Sequence, residues 1–423
     1  MKRSSYKYRG LGNMISRFAY TILILVIYHL LCLLTLPGVN MQSFQLASII
    51  PAINLLSLFS GGNFDRLSIL SVGLTAFVNA QIVVQILQSG ISSTLTEWAK
   101  GGQRGHHKLN QLTKILTFIF SIIQATAVLF GVNNLANGEF LLSENVFVYI
   151  GLCLLLAAGS FITIWLADQI TLYGLGNGVS VIISANIIAQ YLTQGLTSYP
   201  YLKLVIIIAV VVLMTFFIVF INNSERQLNV FYAKRDFYGD QQSYMPVKLL
   251  TSGVMPVVFA SGVMIIPQII LLFCSGQELN TFYRLILYLF SWSSPYGIAM
   301  YSCLIIGFSF LYSEIQLNPH MLAENLQKQE AFIEGIYPGN DTEKYIIKLL
   351  NRMSFISCVI LLMITVLPMV IGNYWLHIQF LGSIGSSLII IVSVLVEIFK
   401  QARGLIQRND YPSFLDDHVD FTE

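Results

Sequence analysis

The stretch INLLSLFSGGNFDRLSILSVGLTAFVNAQIVVQIL, residues 53–87, starts an apolar helix at Ile53, breaks it at Gly61-Gly62, passes Asp65-Arg66 and then resumes an apolar run over 67–88. The second run is long enough to cross a hydrocarbon core of about 30 Å, which takes roughly 20 helical residues. The first is not. The fold must therefore hold a full membrane helix preceded by a half-helix that crosses nothing.

Composition carries this reading outward. The 423-residue chain is 55% hydrophobic and 10% charged, against about 25% charged for a soluble domain. Uncharged apolar stretches of spanning length fall at 18–36, 67–88, 111–131, 146–167, 178–196, 202–221, 250–273, 295–313, 353–371 and 376–396. They are continuously apolar and do not alternate every second residue, which excludes barrel strands. The expected fold is an all-α polytopic membrane helical bundle with ten transmembrane helices.

Cytoplasmic loops retain Lys and Arg. With the N-terminus inside, the outer segments hold only Arg66, Lys203 and Arg284 of the 23 basic residues. Both termini are thus expected in the cytoplasm. The first span is too long for a signal-peptide core and lacks a small-residue cleavage site, so it is read as retained. Net charge of +2 averages over two faces, and no basic stripe with interleaved aromatics points to nucleic acid.

Catalytic machinery is not visible. H-E-x-x-H, G-x-S-x-G and Walker patterns do not occur. Cys32, Cys153, Cys274, Cys303 and Cys358 are scattered singly in or beside apolar spans, the pattern of small packing residues and not of ligands or a disulfide framework. His106-His107 lacks further metal ligands nearby, and "GLGNG" (174–178) links two spans with no strand before it, so it reads as a tight turn. No metal and no cofactor are expected. Of the ionisable residues only His29 lies well inside a span, with Asp168 and Glu397 at cytoplasmic ends. Burying a charge at a helix centre costs about 2.5–3.5 kcal/mol, so such residues mark ion-coupled transporters. One histidine is thin support for a small-solute carrier.

Eight ordered segments resemble the SecY protein-conducting channel family: "TLPGVN" (35–40), "FSGGNFDRLSILSVGL" (59–74), "GHHKLNQLTKILT" (105–117), "ADQITLYGLGNGVSVII" (167–183), "NVFYAKR" (229–235), "SGVMPVVFAS" (252–261), "NPHMLAENLQKQEAFIEGIYPGNDTEKYI" (318–346) and "GSSLIIIVSVLVEIFKQ" (385–401). The resemblance implies one channel domain over 1–423. It consists of two inverted five-helix halves, 1–197 and 198–423, around a central pore. It also implies that the half-helix, with Ile53, Leu55, Leu56, Leu58, Phe59, Gly61 and Gly62, is a plug in the external funnel. A glycine pair suits a hinge. On composition alone an interfacial helix on the outer leaflet is an equal reading.

Aligned residue by residue, the resemblance further implies a pore ring of Leu74, Val78, Ile183, Ile187, Val258 and Ile390. Two of its pairs are four apart and so share a helix face. Six aliphatic side chains converging at mid-membrane would make a dewetted constriction. A lateral exit toward lipid between spans two–three and seven–eight would carry Gln85, Gln124, Thr251 and Ser252 as polar seam residues.

Departures fall where the family meets its motor or shapes its gate. "GIYPG" has Tyr337 where most SecY proteins carry arginine, "GHHKL" has His106 and His107 for two arginines, and Thr75-Ala76-Phe77 stands for "MPY" without its proline. The pattern resembles the accessory SecY of some Gram-positive bacteria. That resemblance implies an accessory SecA-type motor ATPase and accessory secretion proteins as partners, and large serine-rich glycosylated adhesins as secreted preproteins. Loops 222–249 and 314–352, including Arg226, Lys234, Arg235, Tyr337 and Lys344, would dock that motor. Housekeeping SecY, or less readily a small-solute transporter, is the alternative.

Overall fold

In lipid only a helix satisfies every backbone group within its own segment, and helices are what the apolar runs form. The computed structural model describes residues 2–40, 67–135, 140, 145–193, 201–232, 243–273, 281–291, 294–317, 319–333, 335–376 and 379–408. Each of the ten expected spans overlaps a helix. The first half of the chain holds α1 (Lys2–Cys32), α2 (Gly73–Ile86), the short α3 (Ser93–Lys100), α4 (Gly102–Leu135), α5 (Val146–Tyr173) and α6 (Gly178–Thr193). The second half holds α7 (Tyr201–Asn223), α8 (Met255–Phe273), α9 (Thr281–Phe290), α10 (Pro295–Gln316), α11 (Pro319–Lys328), α12 (Asn340–Val370) and α13 (Gln379–Arg408). Among the described residues six helices are long and apolar enough to cross a membrane. A seventh span results if α2 and α3, bent by 99°, count as one, and three further apolar helices are shorter.

The helix α2 is the hub. Gly73, Leu74, Thr75, Ala76, Val78, Asn79, Ala80, Ile82 and Val84 are all buried, which leaves it little free surface. It packs on α4, α5 and α8. A helix buried on nearly every side belongs inside a bundle. The outward faces of the peripheral helices stay bare instead. Leu213, Phe216 and Phe220 of α7 and Trp165 of α5 are exposed, as befits surfaces that meet lipid.

Two seams join the helices before residue 197 to those after it. On one side α8 lies against α2 and α4; on the other α13 lies against α1 and α6. The second seam carries a hydrogen bond, in which Gln401 Oε1 of α13 accepts from the Gly176 amide in the α5–α6 turn. That turn is the "GLGNG" stretch. Gly176 sits at φ +82°, and a Cβ on Gly178 would stand 1.8 Å from the Ala167 carbonyl oxygen, so neither position accepts a side chain without movement.

The polar stretches 222–249 and 314–352 are more than loops. They fold together as a three-stranded antiparallel sheet of β1 (Glu225–Tyr232), β2 (Ser243–Lys248) and β3 (Ala331–Ile333), in the order β2-β1-β3. Glu225 pairs with Lys248 and Val230 with both Ser243 and Ile333. Leu228 and Val230, two apart, turn to the same face. Val230 is buried with Leu326 of α11 and Ile346 and Leu350 of α12, and Leu228 with Leu349 and Met353.

Candidate functional site

The six candidate ring residues come from four helices: Leu74 and Val78 from α2, Ile183 and Ile187 from α6, Val258 from α8 and Ile390 from α13. All six are buried and belong to one continuous apolar cluster in the centre of the bundle. Leu74, Val78, Ile183 and Val258 line a common cavity together with Asn79 and Gly262. The space open to a water centre is about 10 Å³. A single water needs roughly 10–15 Å³ and two or more polar partners. Thr75 also lines it, and a space of this size admits at most a single water.

The seam beside this cavity is made by bare contact. A Cβ on Gly262 of α8 would lie 2.9 Å from Ile82 Cδ1, 3.2 Å from Asn79 Oδ1 and 3.4 Å from Val78 Cγ1. The absence of a side chain there is what lets α8 close on α2. Of the four expected seam residues, Gln124 of α4 accepts a hydrogen bond from Thr75 Oγ1 of α2 at 3.0 Å. Gln85 Oε1 is buried without a partner. Thr251 and Ser252 turn the other way: Ser313 of α10 donates to Thr251 Oγ1 at 3.3 Å, and Ser252 Oγ lies 3.2 Å from Ser309 of α10 and 3.1 Å from Ser357 of α12. None of these bonds crosses from α2 or α4 to α8.

The expected plug residues Ile53, Leu55, Leu56, Leu58, Phe59, Gly61 and Gly62 lie outside the described residues. Their flanks do not. The Leu36 amide donates to the Leu67 carbonyl at 3.0 Å, the Ile69 amide donates to Leu34 at 3.1 Å, and Thr35 bridges Ser68. The chain thus leaves and returns at one place, beside the start of α2.

The SecY family model matches residues 68–399. A "Protein translocase subunit SecY 2" of Lactobacillus kefiranofaciens subsp. kefiranofaciens is 39% identical over 93% of this chain and 98% of its own length. The chain belongs to the SecY family. "Protein translocase subunit SecY 1" of the same organism is 33% identical, covering 98% of this chain and 99% of its own. A solved structure described as "The structure of a protein conducting channel" superposes with a TM-score of 0.66 at 15% identity, covering 97% of this chain and 95% of that one, which establishes a shared fold. This chain is a SecY-type protein-translocase channel subunit and not an enzyme.

As a SecY chain it carries three of its remaining candidate residues on and beside the sheet module. Arg226 is exposed on β1, Tyr337 is 82% exposed, and Lys344 lies 3.7 Å from Asp341 in the first turn of α12. Lys234 and Arg235 lie outside the described residues. His29 is accounted for locally, its Nδ1 3.0 Å from the Leu25 carbonyl, and Asp168 is paired with Lys114 at 2.8 Å. No metal-binding cluster occurs among the described residues. Sequence reasoning missed Asn79 and Gly262. Their only signal was position: each lies a few residues along the same helix from a ring residue.

Proposed function

We propose that this SecY-type subunit is the channel of an accessory translocase in the bacterial plasma membrane, with both termini cytoplasmic, exporting large serine-rich glycosylated adhesins. A separate accessory SecA-type ATPase drives transport with the help of accessory secretion proteins. The observation that carries this reading is its higher identity to SecY 2 than to SecY 1 of one organism, 39% against 33%. The exposure of Tyr337, where most of the family carries arginine, supports it.

In this reading the six aliphatic residues seal the resting pore because their cluster excludes water, and they yield to a polypeptide because nothing but packing holds them together. The segment around 53–63 is the removable stopper, tethered at both ends by the Thr35–Ser68 pairing. The α8 seam against α2 and α4 is the lateral exit, while α13 holds the two five-helix halves together at the back. The sheet module, with Arg226, Tyr337 and Lys344, receives the motor, together with Lys234 and Arg235 from outside the described residues.

A photo-reactive amino acid at position 337 tests the assignment in cells containing both motors. The accessory motor should be captured. Capture of the housekeeping SecA alone would overturn the accessory role and leave the housekeeping one.

A further inference from the structure

The cavity beside the ring has one polar group with nothing to bond. Asn79 is 2% exposed, and its side-chain carbonyl oxygen is buried with no hydrogen-bond partner on the protein. It lines the cavity with Leu74, Val78, Ile183 and Val258, and it faces the bare Gly262 backbone across the α2–α8 seam. Thr75, the neighbouring hydroxyl on the same wall, cannot serve it. Its oxygen lies 2.9 Å from the Val72 carbonyl and 3.0 Å from Gln124 Oε1, so its single proton is already committed.

We propose that Asn79 is a gating residue whose orphaned carbonyl biases the seam toward opening and then binds backbone N–H groups of the translocating polypeptide. Burying an acceptor with no donor raises the energy of the state that buries it. Here that is the closed state, because the oxygen is enclosed only while α8 lies on α2. Once α8 withdraws, water reaches the oxygen, or an extended chain passing the ring offers it an amide. The closed channel is therefore held less tightly than its apolar packing alone would hold it. The partner is defined by chemistry: any peptide backbone presents the donor, so the interaction is independent of cargo sequence.

This inference rests on the channel reading of the ring, and its test separates the two. Wild type, Asn79→Leu and Asn79→Asp are reconstituted in planar bilayers and in proteoliposomes with motor, ATP and a preprotein. Asn79→Leu removes the orphan at similar size and should lower resting open probability about tenfold, the factor that one unsatisfied group corresponds to. Asn79→Asp is isosteric, puts an unpaired carboxylate in the same place and should raise it by at least as much. Asn79→Ser can return its hydroxyl to the Thr75 carbonyl one turn back, leaves no orphan, and should shift with Leu; it keeps the test sharp if Leu does not fold. A photo-reactive residue at 79 should label a preprotein stalled in transit. Shifts of the same sign for Leu and Asp, or no shift in either with wild type conducting, would overturn the gating role. No conductance and no transport from any of the proteins would overturn the channel reading with it.

Discussion

Ile187→Asn is the sharpest probe of the closed pore. Ile187 is buried in the central cluster with Val258 and Ile390. Burying an isoleucine contributes about 1.5–3 kcal/mol, and an amide left there without a partner costs about 1–3 kcal/mol. Both act on the closed state, because an open pore is wet and hydrates either side chain. A net shift of only about 3 kcal/mol raises the open fraction more than 100-fold, since about 1.4 kcal/mol is a factor of ten. Ion current through planar bilayers, without motor or substrate, measures it directly. Two controls locate the effect. Ile187→Val removes one methylene, costs about 0.5–1.5 kcal/mol and adds no polar atom, so leakage should rise less than about tenfold. Ile207→Asn places the same amide at an equally buried position of α7 outside the central cluster; it should lower stability without adding current. A folded Ile187→Asn protein with wild-type leakage would refute the assignment of Ile187 to the constriction. Ile390→Asn should behave alike, but the two effects will not add, because both residues belong to one packed cluster.

Gly178→Ala should lower the midpoint of thermal unfolding in detergent by several degrees, because its methyl would meet the Ala167 carbonyl oxygen at 1.8 Å and force α5 and α6 apart; overpacking of this kind typically costs about 1–3 kcal/mol. Ser252→Ala removes the contacts at 3.2 and 3.1 Å that tie the start of α8 to α10 and α12. At about 0.6 kcal/mol for each interhelical bond, it should cost about 1 kcal/mol in the same assay and leave the Asn79–Gly262 contact, and hence resting conductance, unchanged.

The parts of this protein that were legible in its sequence are those governed by the solvent around each segment. A bilayer demands continuous apolar helices, so the ten runs could be read off one after another, and each overlaps a helix. The break at Gly61-Gly62 lies outside the described residues, between Thr35 and Ser68, which pair with each other. The reading of 222–249 and 314–352 as loops fell short because β1 and β3 are distant in the chain and their pairing is a tertiary event. An alternation as brief as Leu228 and Val230 gives no periodic signal above its polar surroundings.

The linear chain by itself determined that this is a helical membrane protein with no visible catalytic centre, since hydropathy and residue chemistry are local properties. Which side chains share the cavity was decided only by the packed bundle. Thr251 and Ser252 bond toward α10 and α12, and Asn79 is stranded opposite Gly262. Whether a polar group finds a partner depends on how far neighbouring helices approach and how they are rotated, and those are set by the contacts of the whole assembly.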